Sequence, residues 1–166
     1  MQTPKRKLGL YAHLKPDPHL TKEKYIELKN KLERLIKVSR SKAANEVRRL
    51  AEMGDFSENA AYQISKGRLR GINQRITDIE DHLKQAIIIR PLKNTSRVEL
   101  GHIVTVLVQG KEKNLQILGS SETNPLKGII SHNSPIGAAL IGKKVGEKIL
   151  IKLANKEIEY EIIKIS

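Results

Sequence analysis

The sequence predicts an α+β protein: an N-terminal antiparallel α-helical coiled-coil hairpin followed by a small antiparallel β domain with one short helix. Three observations predict it. Two long stretches flanking position 54 carry apolar residues at helical spacing. From about Ile87 the apolar period shortens to that of strands. Pro91 marks the division between the two regimes.

Residues 1–20 hold three of the six prolines and no sustained period, so they are read as a flexible basic arm. Thr21 suits an N-cap, although Lys24 at the third helical position leaves the capping box incomplete. In the first helix Tyr25, Leu28, Leu32, Leu35, Val47 and Leu50 mark the apolar stripe. Steps of four from Leu35 through Ser39 and Ala43 to Val47 read as a stutter in a heptad pattern. In the second helix Tyr62, Leu69, Ile76 and Leu83 recur every seven residues, and Ser65, Ile72, Ile79 and Ala86 fill the alternate seam positions. Gly67 and Gly71 lie off that seam. Two narrow-striped helices joined by a short turn pair with each other, giving a hairpin over 21–89 with its tip at 54–58. Helices near 30 residues reach about 45 Å, so the rod projects from the rest of the chain.

The region 90–166 is the second domain. "RVELGHIVTVLVQG", "KNLQILG", "KILIKL" and "KEIEYEIIKI" read as strands, with a turn at "ANKE". "SPIGAALIG" reads as a short helix, with Ser134 as N-cap, Pro135 at its first position and Gly142 at its exit.

Composition limits the function. The net charge of +13 favours a polyanionic partner, while 3% aromatic residues disfavour reading single-stranded bases by stacking. No cysteine is present, which excludes disulfides and thiolate metal sites. None of the five histidines pairs with another at i, i+3 or i+4, so spacing predicts no histidine metal cluster. There is no secretory signal and no membrane-length apolar run, so a cytoplasmic protein without a membrane partner is expected.

The linker "MGDFSENAAYQ" carries the chemistry. Gly54 suits the left-handed residue that ends a helix, Asp55 suits the next N-cap, and Glu58 falls where a capping box places its acid. Capping alone accounts for both acids. At the end of a projecting rod they also make a partial site for a hard divalent ion such as Mg²⁺. Two carboxylates are too few for tight binding, so further ligands must come from elsewhere. Phe56, exposed at such a tip, is natural at a contact.

"GDFSENAAYQISKGRLRGINQRI" resembles the tip and second helix of the bacterial Gre transcript cleavage factors. "LTKEKYIELKNKLERL" is similar to their opening helix, and "ISHNSPIGAALIGKKVGEKILI…EIEYEIIKI" to their C-terminal domain. The stretch "YQISKGRLRGINQR" looks closer to the GreB branch than to the GreA branch. The resemblance implies an FKBP-like C-terminal domain and RNA polymerase as partner. It implies a rod that enters the secondary channel and stimulates cleavage of the extruded RNA 3′ end in backtracked complexes. Asp55 and Glu58 then correspond to the tip acids that share a Mg²⁺ with polymerase; either could be the ligand while the other orients the water. Ser57, Asn59 and Tyr62 match the motif as supports of the tip, although Tyr62 is better explained by seam packing. Ser134, Pro135 and Ile136 match a segment that contacts polymerase in the family. A monomeric accessory factor, not an enzyme in its own right, is expected, with no tightly bound cofactor.

The basic residues fit this expectation. Residues 30–50 hold seven Lys or Arg against Glu33 and Glu46, and Arg48, Lys66, Arg68, Arg70 and Arg75 lie behind the tip, where extruded RNA would run. A solvated helix face is the plain alternative. Three departures from the family pattern stand out. Ala61 replaces a usual acid, "VSRSKAAN" replaces a usual Arg-Pro pair, and the 20-residue arm is additional. Ala61 keeps open a rival reading, a regulator of the same fold that occupies the channel without promoting cleavage. A prolyl isomerase is disfavoured because Tyr160 is the sole aromatic in residues 91–166. A general nucleic-acid binder acting through charge alone is the remaining rival.

Overall fold

The computed structural model describes residues 16–53, 60–90, 95–153 and 156–166. A continuous helical path opens the rod: α1 (Lys22–Arg34), a π-helical stretch (Leu35–Arg40) and α2 (Ser41–Glu52). Thr21 caps it as expected, its Oγ1 accepting from the Lys24 N–H at 3.1 Å. The stutter read from the sequence falls where the π-helical stretch begins. A π turn adds a residue to the winding, which lets one seam continue from Leu35 to Ala43 and Leu50 without a kink residue.

Helix α3 (Ala60–Lys84) returns antiparallel to α2, and its 25 residues span about 37 Å. The eight seam positions from Tyr62 to Ala86 are all buried or half-buried, as the heptad requires. Ala43, Ile72 and Ile76 centre the packing, with Leu32, Leu35, Ile36 and Leu69 around them. This core is drawn entirely from the helices.

The base of the molecule is a five-stranded sheet: β3 (Ile103–Val108), β4 (Lys111–Leu118), β5 (Ile129–Ser131), β6 (Lys148–Leu153) and β7 (Lys156–Ile165). Its strand order is β5-β4-β3-β7-β6. Helix α4 (Pro135–Leu140) covers one face, and Val104, Val106, Ile117, Leu140 and Ile162 form the fully buried centre. Strands β3 and β4 are joined through Gln109 and Gly110, both at positive φ (51° and 74°), the conformation that matches strand twist in a tight hairpin.

The structure differs from the sequence-based expectation in three places here. The sheet is not wholly antiparallel: β4 and β5 run parallel, because residues 119–128 carry the chain back through two 3₁₀ turns. The strand expected over "RVELGHIVTVLVQG" is confined to β3, because a turn at Leu100–Gly101, with Gly101 at φ 100°, interrupts it. In β7 the register slips opposite Thr105/Val106. That bulge turns both Ile162 and Ile165 inward and leaves Ile163 outward, which strict alternation would forbid.

Residues 17–20, assigned to the arm on composition, belong to the junction between rod and base. Strand β1 (His19–Leu20) pairs parallel with β2 (Ile87–Ile88), and Leu20 is fully buried. Glu122 of the base accepts the Thr21 N–H at 2.8 Å and the Thr21 hydroxyl at 2.5 Å. Asp17 accepts the Ser120 N–H at 2.7 Å, and His82 of α3 lies 2.8 Å from the Asp17 carbonyl. Gly119 makes the approach possible: a Cβ there would stand 2.0 Å from the His19 carbonyl oxygen.

Gly119→Ala should therefore destabilise the protein by about 1–3 kcal/mol, since the β1 backbone must move. Gly67→Ala, in the helix interior with nothing within 4 Å of the added carbon, should stabilise it by about 0.5–1 kcal/mol. Chemical denaturation midpoints of the two variants should move in opposite directions.

Candidate functional site

Asp55, Phe56, Ser57, Glu58 and Asn59 lie outside the described residues, between the end of α2 and the start of α3. The structure defines what brackets them. Helix α2 ends at Glu52 with Met53 as its C-cap, and α3 is under way by Ala60. Ala61 is exposed in the first turn of α3, so the place of the usual family acid faces solvent without charge. Ile64 is 72% exposed, leaving an apolar side chain close behind the tip.

Behind the tip the two helices form a groove of about 500 Å³. Arg34, Lys42 and Arg68 line it together with Glu46, above a floor that includes Ala43 and Ile72. Arg34, Val38, Lys42 and Glu46 step in fours, so they share one flank of the first helix. The acids near it are already paired. Glu46 accepts from Arg49 Nη2 at 2.8 Å and Nε at 3.0 Å, and Glu33 is paired with Lys37. The hydrogen bonds from Arg49, with smaller charge contributions from Arg49 and Arg68, hold the Glu46 carboxyl below the ordinary glutamate range. Both acids are ionised at neutral pH, and the net charge of the groove remains positive.

Of the basic residues singled out in the sequence, the structure brings Arg68 into this groove. Arg48, Lys66 and Arg70 are exposed but do not line it. The reason is helical: Arg68 and Lys66 are two residues apart, about 200° around the axis. Lys66 instead lies 6.0 Å from the Tyr62 ring centroid. Arg34 and Lys42 do not stand out individually in the sequence, although their step-of-four spacing on the flank of the seam is there to be read.

On the base, Ser134 caps α4, its Oγ accepting from the Gly137 N–H at 3.0 Å and donating to the Ser131 carbonyl at 2.6 Å. Pro135 occupies the first turn, as expected. Gly137 allows the helix to sit on β5, since a Cβ would come within 2.1 Å of the Ser131 carbonyl oxygen. Ile136 is half-buried and joins Leu115, Ile130, Tyr160 and Leu126 in a shallow cleft of about 530 Å³. Leu126 is 99% exposed at its edge. An apolar cleft with such a rim suits a protein contact better than a small-molecule pocket.

The expectation of no histidine metal cluster rests on spacing along the chain, which the fold bypasses. Among the described residues, Asp17, His19 and His132 place one ligand atom each within 4.8 Å of one another. Sequence spacing could not show this, because the fold brings together two histidines that are far apart in the chain. Among the described residues, no helix is long and apolar enough to cross a membrane.

Comparison with known proteins gives a consistent result across both regions. Residues 19–88 match the family model "Transcription elongation factor, N-terminal", and residues 93–166 match "Transcription elongation factor, GreA/GreB, C-term". The chain is 37% identical over 149 residues to "Transcription elongation factor GreA" of a Nitratiruptor species, covering 88% of this chain and 91% of that protein. It is 39% identical over 150 residues to the protein of the same name from Thermodesulfovibrio yellowstonii, covering 89% and 95%. The solved structure described as GreA factor homolog 1 (Gfh1) of Thermus thermophilus aligns over 90% of this chain and 99% of its own, at 27% identity and a TM-score of 0.42. The C-terminal model spans GreA and GreB together and does not separate the two branches.

Proposed function

This chain belongs to the GreA/GreB family of transcription elongation factors, and on that premise we propose that it stimulates RNA cleavage by backtracked RNA polymerase. The observation that carries the reading is the position of the "GDFSEN" motif, residues 54–59, in the link between two helices that pair along a shared apolar seam. Such a rod enters the polymerase secondary channel and delivers Asp55 and Glu58 to the extruded RNA 3′ end. The base remains outside, with the cleft beside Ile136 and Leu126 against polymerase and Ser134 and Pro135 holding α4 in place. The protein acts as a cytoplasmic, monomeric accessory factor, and the cleavage activity belongs to polymerase.

The donor chemistry fits Mg²⁺. Asp55 and Glu58 offer hard oxygen ligands but fewer than the ion's octahedral demand, so polymerase carboxylates complete the set. When bound, the ion supplies Lewis-acid activation of water and neutralises charge developing at the phosphodiester. One of the two acids would be a ligand, and the other would hold and orient the attacking water. Arg34, Lys42 and Arg68 line the groove behind them and provide positive charge for the phosphates of the extruded strand. Exposed Arg48, Lys66 and Arg70 extend that attraction outside the groove. A basic rod suits a longer extruded RNA, in keeping with a GreB-like role.

With 3′-labelled RNA in a backtracked complex, wild type plus Mg²⁺ should release short labelled fragments. Asp55→Asn and Glu58→Gln should each slow release by about 100-fold or more while still competing for the channel. Binding without release by wild type would favour the non-cleaving regulator that Ala61 leaves open. Normal cleavage by both variants would remove these residues from the site. Replacing both Lys42 and Arg68 by Glu should weaken RNA crosslinking and flatten its salt dependence by about one unit of slope for each phosphate no longer neutralised.

A further inference from the structure

We propose that Asp17, His19 and His132 form a binding site for a single zinc ion at the junction between rod and base. The site is independent of the tip and of the reading of function above. His19 Nδ1 lies 3.0 Å from Asp17 Oδ1, and His132 Nδ1 lies 3.4 Å from Asp17 Oδ2. Donors around a tetrahedral zinc at about 2.0–2.2 Å are separated by about 3.4 Å. The three ligand atoms here lie within 4.8 Å of one another, so side-chain shifts of about 1 Å close the set. Two imidazoles and one carboxylate, with a fourth position open to water, make a donor set that suits zinc.

The surroundings orient the ligands. Asp17 is held on both oxygens, Oδ2 by the Ser120 N–H at 2.7 Å and Oδ1 by the His19 N–H at 3.1 Å. Burial is the largest influence on this carboxyl and pushes its pKa up. The hydrogen bonds from Ser120 and His19, with nearby His132, outweigh it and hold the pKa below the ordinary aspartate range. The Asp17 side chain is thus buried and ionised at neutral pH, with two ring nitrogens beside it. The rings meet edge to face with centroids 5.3 Å apart. The His19 and His132 side chains are 33% and 23% exposed, which leaves a path for an ion to enter. Ligation requires Nδ1 of each ring to give up any proton, leaving the ring's proton on Nε2, so the Nδ1 contacts to Asp17 and, for His132, to the Leu118 carbonyl oxygen 3.4 Å away give way to the ion. His19 and Asp17 precede α1, while His132 precedes α4, so the ion staples the start of the rod to the base.

The test is a zinc titration of metal-free, full-length protein against a chromophoric chelator. Wild type should bind one zinc, and His19→Ala and His132→Ala should each weaken binding by more than about 100-fold. Cobalt(II) in the wild-type protein should give the intense visible absorption of a four-coordinate ion, and each variant should lose it. Far-UV circular dichroism checks that the variants fold; if one does not, the wild-type cobalt spectrum decides. Absence of saturable one-to-one binding, the weak spectrum of octahedral cobalt, or wild-type affinity in both folded variants would each overturn the site and leave a hydrogen-bonded cluster alone.

Discussion

The Glu122 carboxylate, accepting both the N–H and the hydroxyl of Thr21, is the contact on which the aim of the rod depends. Thr21 has two tasks at once. Its oxygen accepts from Lys24 and closes the first turn of α1, while its hydroxyl proton goes to the base. A charged acceptor at a helix N-terminus also meets the positive end of the helix dipole. Hydrogen bonds to charged groups contribute about 1.5–3 kcal/mol when well formed, so two on one carboxylate outweigh ordinary loop contacts. The strand pair β1–β2, the Asp17–Ser120 bond and His82 against the Asp17 carbonyl surround the same point. A rod about 37 Å long magnifies small rotations at its root, so a loose junction would scatter the tip over many ångström.

The two halves solve separate problems. The rod has its own narrow core at Ala43, Ile72 and Ile76, so it holds its shape without a covering layer. Only one stripe is used for packing, which leaves its flanks free for charge. Near the groove, Glu33 and Glu46 are neutralised locally by Lys37 and Arg49, and the basic groove persists. The base holds the deeper core and the apolar cleft at Ile136 and Leu126. Positive charge along the rod and apolar area on the base are what the proposed function asks of the two parts.

What can be read from the sequence follows the range of the interaction. The seam of α3 is visible in full, because a period of seven needs only neighbouring turns. The caps at Thr21 and Ser134 are visible for the same reason. The stutter near Leu35 is visible, but its resolution as a π turn is not, since several windings satisfy the same apolar spacing. The parallel β5, the bulge in β7 and the Glu122–Thr21 contact depend on partners far away in the chain, and no local pattern announces them. The basic residues stand out in the sequence only as a set. Helical phase divides them, drawing Arg68 into the groove beside Arg34 and Lys42 and leaving Lys66 and Arg70 outside. Asp55 and Glu58 are recognised from their motif and lie outside the described residues.

The claim that the junction aims the rod is tested most directly by a distance distribution. The chain has no cysteine, so spin labels can be placed singly at Lys66→Cys on α3 and Glu112→Cys on β4, both exposed. Pulsed dipolar spectroscopy on the otherwise wild-type protein should give one narrow distance. Adding Glu122→Ala should broaden it while the helical signal in circular dichroism stays unchanged. A broad distribution already present with Glu122 in place, or a narrow one that survives its removal, would contradict the account.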